Sequence, residues 1–470
     1  MSDSLLLLQQ SLDVLRDQPD QLIAIILRQA GVIEEQRKKI QELEEQIQDL
    51  NDRNNKSSAR LEQLERAAAR QAAPFRIKEN KRQLDPKKPG RKKNHPGSFR
   101  PIPEVVDEEI FVPLGSCPDC GGTLADCRPV TQYIEEIPEV RPHVFKLVTE
   151  QAHCPHCQKE VRSTHRLQVS RAQGAAGVQL GPNALGTALE LNKKHGLTMR
   201  RTCAVLGQLF HLKLSPGGLS QALGRLAGKL AGTYEDLLAG LRAGPVVHSD
   251  ETSWWVGGPK YWLWVFADQN STVYRVAPGR GRNIIIETLG DQYGGTLVSD
   301  CLSIYDDVNP RQQKCYSHHL KAISLAMEEA PSDYLATLKA LLKAAMILKG
   351  AGLAEPEFQQ GRAALAEQAE RLLATPRGGL EEKVRQRLWK QQDHLFTFLD
   401  HPEVDATNNL AERQLRPAVI ARKISCGNKT EAGARVWQIL ASLAATCGQR
   451  GESFAKLISQ AAVLNFARAP

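Results

Sequence analysis

The sequence predicts a multidomain α+β protein, and three observations carry that reading. A seven-residue apolar repeat runs near the N-terminus, two Cys-x-x-Cys pairs follow, and from residue 244 a strand-rich block begins between helical segments. The 470 residues allow roughly three domains. An apolar fraction of 41% supports real cores and excludes wholesale disorder. No apolar run approaches the ~18 residues of a membrane span. The Leu5–Leu8 run is too short for a signal-peptide core. A soluble, non-secreted, cytoplasmic protein with no membrane partner is expected. The net charge of +8 is a mild bias towards acidic partners, so its distribution matters more than its size.

Residues 1–75 read as an oligomerisation helix. Ile26, Ile33, Ile40, Ile47 and Leu61 recur at one heptad position, with Leu43, Leu50 and Leu64 three residues further on. Asn54 takes the apolar slot once, as buried asparagines do in register-setting coiled coils. Gln29, Gln36 and Ser57 weaken the seam. Self-association as a homodimer or higher oligomer is the functional reading; a helix packed on its own chain is the alternative.

Residues 76–101 hold ten Lys/Arg against two acids, with four prolines. Such a stretch cannot build a core and reads as a tethered basic arm. Its cluster of Lys87, Lys88, Arg91, Lys92 and Lys93 suits DNA phosphate or a narrow minor groove. A solvated linker is the competing reading.

Residues 102–170 form the predicted zinc module. Cys117-Pro-Asp-Cys120 and Cys154-Pro-His-Cys157 present four thiolates, the donor set of structural tetrahedral Zn²⁺ with no position open to water. The gap of 33 residues exceeds the usual ribbon spacing. The alternating stretch 131–154 is expected to supply two strands that bring the pairs together.

Residues 178–243 are helical by pattern. Thr198 and Ser215 read as N-caps and Pro216 suits a first turn. The two helices so started resemble a helix-turn-helix that leaves Arg200 and Arg201 free for phosphate, although packed helices of no special purpose fit as well.

Over residues 244–324 the pattern changes to strands. The segments "PVVHSD", "YWLWVFADQ" and "STVYRVAP" are rich in β-branched and aromatic residues; "RNIIIETLG" is a helix, and "GGTLVSD" a further buried strand. Two of these strands are expected to end in Asp250 and Asp300. If they are neighbours, the carboxylates converge, repel and call for a hard divalent cation, Mg²⁺ or Mn²⁺. Glu251, Asp306 and Asp307 compete as ligands. The helix in "DATNNLAERQLRPAVIARK" offers a third carboxylate, Glu412, with Arg413 and Arg416 on the same or next turn; Asn408 or Asn409 can cap it. A surface helix bearing an ion pair is the alternative. "PGRGRN" could cradle phosphate with Arg280 and Arg282, or be a basic turn. Residues 325–403 are amphipathic helices by pattern, and 449–470 read as a tail.

"HSDETSWW" at 248–255, "SDCLSIYDD" at 299–307, "CYSHHLK" at 315–321 and "NNLAERQLRP" at 408–417 together resemble the DDE transposases of the insertion sequence 66 family. The resemblance covers nearly the whole chain. It implies a ribonuclease-H-like catalytic core with its first part at 244–324, its second at 404–448 and a helical insertion at 325–403 between them. The acidic triad of that core maps to Asp250, Asp300 and Glu412, holding two Mg²⁺ or Mn²⁺ ions. His318, three residues after Cys315, matches a Cys-x-x-His signature of several DDE families and is expected near the scissile phosphate. The implied activity is cutting of double-stranded DNA at element ends and joining to target DNA, at a bacterial nucleoid and with accessory transposition proteins as further partners. A non-catalytic zinc-containing regulator and a hydrolytic nuclease of the same fold are the alternatives.

Overall fold

The computed structural model describes residues 23–24, 27–28, 30–46, 48, 99–170 and 177–463. The chain divides into two units, residues 1–134 and 135–470. In the first, residues 30–46 are helical, and Ile33, Ile40 and Leu43 of the apolar repeat are exposed on that helix. The remaining heptad positions, Asn54, and Lys87, Lys88, Arg91, Lys92 and Lys93 of the basic arm lie outside the described residues. Residues 99–134 are irregular apart from the tight turn at Cys117–Cys120, where the Gly121 N–H donates to the Cys117 carbonyl at 2.9 Å.

The second unit opens with a hairpin of β1 (Gln151–Cys154) and β2 (Lys159–Arg162). Residues 131–150, expected to be mostly strand, form none. Pro138 and Pro142 lack the N–H that a ladder needs, so the alternating pattern there cannot propagate pairing.

Four helices follow: α1 (Pro182–Leu189, continued by a π turn at Glu190–Lys194), α2 (Met199–Phe210), α3 (Pro216–Lys229) and α4 (Ala231–Ala243). Thr198 caps α2 by accepting from the Arg201 N–H, and Ser215 caps α3 by accepting from the Gly218 N–H.

The centre is a mixed sheet of β3 (Val246–Trp255), β4 (Lys260–Ala267), β5 (Thr272–Ala277), β6 (Thr296–Ser299) and β7 (Gln312–Lys314), in the order β5-β4-β3-β6-β7. The first three are antiparallel neighbours; β6 and β7 join in parallel. Helix α5 (Arg282–Leu289) makes the crossover between β5 and β6. Strand β3 does not stop at Asp250 as expected. Its pairing with β4 continues to Trp255, while its pairing with β6 covers only Val246–His248. The aspartate thus sits where one neighbour ends and the other continues.

Helix α6 (Tyr316–Glu329) leaves β7 and carries α7 (Asp333–Gly350), α8 (Glu355–Ala374), α9 (Gly379–Trp389) and the short α10 (Thr397–Asp400). These pack around Leu335, Leu338, Leu342, Leu388 and Phe398, a cluster that reaches Val246 and Val298 of the sheet. Then come α11 (Asn409–Ser425), α12 (Glu431–Arg450) and α13 (Phe454–Ala462).

Helix α12 closes the β5 edge by chemistry as well as packing. Gln438, Ser442 and Thr446 recur every four residues, about 6 Å along a helix. Every second N–H of a strand recurs at nearly that spacing. The N–H groups of Val276, Tyr274 and Thr272 donate in turn to Gln438 Oε1 (2.9 Å), Ser442 Oγ (2.8 Å) and Thr446 Oγ1 (3.0 Å). An edge strand open to another chain is thereby satisfied internally. Ser442→Ala leaves the buried Tyr274 N–H unpaired and is expected to cost about 1–3 kcal/mol in denaturant unfolding. An unchanged midpoint would show that the edge needs no such cap.

Candidate active site

Successive β3 side chains alternate between the two sheet faces. Val247 joins the cluster containing Trp264 and Tyr305, whereas Trp254 joins the cluster containing Ala411 and Leu415 of α11. Asp250 shares the parity of Trp254 and so faces the α11 side. Glu251 points to the opposite face. There its carboxylate is buried, accepts from the Tyr305 hydroxyl at 2.5 Å and takes the Arg280 fork, Nε at 2.9 Å and Nη2 at 2.6 Å. The Arg280 guanidinium also lies 4.4 Å over the Trp262 ring. Arg280 is therefore engaged by the protein, while Arg282 at the start of α5 is exposed.

The parallel register pairs Val246 with Thr296, Val247 with Leu297 and His248 with Val298. Continued by two residues, the same offset sets Asp250 beside Asp300, directly after β6. Asp300 Oδ1 accepts the Leu302 N–H at 2.9 Å, and Asp250 Oδ1 the Glu251 N–H at 2.8 Å. The loop that follows Asp300 is pinned at three points. Cys301 Sγ lies 3.4 Å from His319 Nε2, Tyr305 holds Glu251, and Asp306 pairs with the buried Lys314 at 3.3 Å. Gln391 Nε2 also donates to Asp306, at 2.8 Å. Burial pulls the Lys314 amine down from its ordinary range, opposed by Asp306, and pushes the His319 imidazole to about 3, so that it is neutral.

The third carboxylate arrives on the first turn of α11. Asn408 occupies the N-cap position but makes no capping bond with its side chain. Its Nδ2 donates to the Ser249 carbonyl (2.8 Å), its Oδ1 faces His248 Nδ1 (3.2 Å), and its own N–H donates to Cys315 Sγ (3.1 Å). One fully buried amide thus ties the start of α11 to β3 and to the start of α6. Glu412 is exposed one turn on, with Oε1 3.9 Å from His318 Nδ1. Arg413 and Arg416 are exposed beside it.

The charges respond to this gathering. The Asp250 carboxyl is pushed up to about 7, first by burial, then by Glu251, with Asp300 and Glu412 adding smaller repulsions. The Glu251 carboxyl is raised by burial in spite of Tyr305 and Arg280. The His318 imidazole is raised, first by the Cys315 thiol beside it and further by Asp300 and Glu412. Asp250, Asp300, Glu412 and His318 therefore share one electrostatic environment. A carboxyl held at about 7 by burial among other carboxylates is a donor set that a hard divalent cation fits, because the cation removes the repulsion. Among the described residues, one group of three ligand-type atoms lies mutually within 4.8 Å: Cys315, His318 and Glu412. Asp250 and Asp300 stand outside that tight group.

The two cysteine pairs are built alike. Each is followed by a residue in the left-handed region, Gly121 at φ 75° and Gln158 at φ 56°. Backbone N–H groups converge on the first sulfur of each pair. Those of Cys120 and Asp119 lower the Cys117 thiol below its ordinary range, and those of Cys157 and His156 do the same for Cys154. This is the local arrangement that favours a thiolate ligand. Arg200 and Arg201 are exposed on the first turn of α2. No helix among the described residues is long and apolar enough to cross a membrane.

Pattern reading missed Tyr305, Lys314 and the anchoring role of Asn408. Tyr305 carried a signal, a bulky aromatic within the acidic run "SIYDD". Lys314 carried none, since it lies in the wholly polar strand "QQK".

The profile described as "Transposase IS66 family" matches residues 177–436. The chain is also 25% identical over 282 residues to the uncharacterized protein y4qI of Sinorhizobium fredii, an overlap covering 51% of each. The chain thus spans about half the length of that curated relative.

Proposed function

The chain belongs to the transposase IS66 family, and on that premise we propose that it cuts DNA at element ends and joins the freed ends to target DNA. The observation that carries the reading is that Asp300 and Glu412 both add to the raising of the Asp250 carboxyl, which supports a shared site for the three acids. The Asp250–Asp300 register and the Asn408 anchor of α11 support it as well. The strand order, three antiparallel strands followed by two parallel ones, supports a ribonuclease-H-like core. Helices 325–403 are then an insertion between the second and third acids.

Asp250, Asp300 and Glu412 would hold two Mg²⁺ or Mn²⁺ ions. When bound, these supply charge neutralisation at the attacking and leaving oxygens of an in-line phosphoryl transfer. The chain's own groups align the substrate. Exposed Arg413 and Arg416 receive the phosphates flanking the scissile bond, and His318 stands beside Glu412 within reach of the same substrate. No side chain serves as covalent nucleophile in this reading.

The remaining parts bind and assemble. Arg200 and Arg201 on α2, Arg282, and the basic arm with Lys87, Lys88, Arg91, Lys92 and Lys93 contact the phosphate backbone. Cys117 with Cys120, and Cys154 with Cys157, would each supply two thiolates to structural Zn²⁺, supported by the matching N–H cradles at Cys117 and Cys154. The exposed Ile33, Ile40 and Leu43 supply part of a seam between two protomers.

The test is an Mg²⁺-dependent cleavage and joining assay on DNA bearing the element's terminal repeats. Alanine at Asp250, Asp300 or Glu412 is expected to remove both steps and keep DNA binding. Cut ends that are never joined would identify a nuclease instead. DNA binding without any cleavage by the parent would leave only a DNA-binding regulator, and cleavage that survives all three substitutions would remove these acids from the catalytic role.

A further inference from the structure

We propose that Cys315, His318 and Glu412 form a second metal site, distinct in chemistry from the carboxylate pair and selective for one zinc-type divalent cation. The sulfur, imidazole nitrogen and carboxylate oxygen already lie mutually within 4.8 Å, and the nitrogen and oxygen are 3.9 Å apart. Ligands around tetrahedral zinc stand about 3.5 Å from one another, so each pair needs to close by about 1.3 Å at most. His318 Nδ1 is buried and makes no hydrogen bond of acceptable geometry, although a thiol and a carboxylate flank it. A buried nitrogen without a hydrogen bond, set between a thiol and a carboxylate, is placed to act as a cation ligand.

The local fold makes the arrangement follow from spacing. Cys315 is the residue before α6 and His318 lies on its first turn, so the sulfur and the ring nitrogen share one side of that turn. Asn408 donates its N–H to Cys315 Sγ at 3.1 Å and thereby brings the start of α11, with Glu412, over the same turn. Cys315 is fully buried, while the side chains of His318 and Glu412 are 38% and 44% exposed. The cation enters from the solvent side, and its fourth position stays open to water. One sulfur, one nitrogen and one carboxylate oxygen suit zinc; Mg²⁺ accepts oxygen ligands and leaves thiolates. Zinc held here also claims Glu412. That consequence, inhibition of Mg²⁺-dependent cutting by Zn²⁺, rests on the transposase reading, whereas the site itself does not.

The experiment titrates the metal-free full-length chain with Co²⁺, reading the cobalt–thiolate absorption and the number of equivalents bound. The two Cys-x-x-Cys pairs contribute equally to parent and variants, so the difference reports this site. Cys315→Ser and His318→Ala are each expected to lose one equivalent per chain. The half-exposed His318 guards against misfolding as the cause, checked by circular dichroism. Parent stoichiometry and spectrum retained by both variants would overturn the site, even if the parent cuts DNA. Loss of one equivalent in a protein that never cuts DNA would uphold the site and sink the transposase reading. If the parent does cut, Zn²⁺ is expected to suppress its Mg²⁺-supported activity.

Discussion

Asp250→Asn is expected to lower Mg²⁺-dependent DNA cleavage by roughly 10²–10³-fold or more, while making the metal-free protein more stable. Both effects come from one carboxyl. Burial and the carboxylates around it raise Asp250 from 3.8 to about 7. Between those values the unfolded chain has released the proton and the folded chain keeps it. Folded stability therefore falls as pH rises from about 4 to about 7 and stays low above that. The shift is on the order of 4 kcal/mol at most. Asparagine cannot ionise and escapes this loss, so its melting temperature at pH 8 should exceed the parent's by a few degrees. A cation competes with the proton at Asp250. Stabilisation of the parent by Mg²⁺ should consequently grow from pH 6 to pH 8 and be much smaller in the variant. Thermal unfolding with and without Mg²⁺ measures all of this. Equal Mg²⁺ stabilisation of parent and variant would remove Asp250 from the cation site.

Arg280→Ala is expected to destabilise the fold by roughly 3 kcal/mol, with little change in affinity for DNA. The Arg280 fork is the cation paired with the buried Glu251, and its planar face lies over Trp262. Removing it leaves that carboxylate with the Tyr305 hydroxyl alone. Adding Glu251→Gln should restore part of the loss, because the uncompensated charge then disappears. Arg413→Ala and Arg416→Ala should behave in the opposite way, with near-parental unfolding and weaker, less salt-dependent DNA binding. Denaturant unfolding beside salt-dependent binding titrations separates the two classes. Weak DNA binding by Arg280→Ala at parental stability would return Arg280 to the phosphate-binding set.

Local structure was largely legible. Thr198 and Ser215 cap helices because a hydroxyl one residue before a helix can reach the free N–H three residues on. The segments that became β4, β5, β6 and α5 announced themselves by β-branched, aromatic and turn residues. Other elements were hidden. β7 is three buried polar residues, in which Gln312 donates to the Asn309 carbonyl, Gln313 accepts from the Phe398 N–H and Lys314 pairs with Asp306, and no apolar pattern marks it. The expected strands across 131–150 failed because periodicity says nothing about the N–H groups that Pro138 and Pro142 lack.

The sequence by itself determined which residues are candidates for chemistry: two aspartates 50 positions apart, a glutamate at a helix start, and paired cysteines. Only the tertiary structure decided which of them meet. Periodicity reports that a strand has two faces but not what covers each, so Glu251 still competed with the preferred Asp250 until α11 packed on one side and Tyr305 and Arg280 on the other. The meeting of Asp250 with Asp300 depends on parallel pairing, and that of Glu412 with His318 on Asn408 docking α11 against β3. These are contacts between residues tens to more than a hundred positions apart, which local propensity cannot encode.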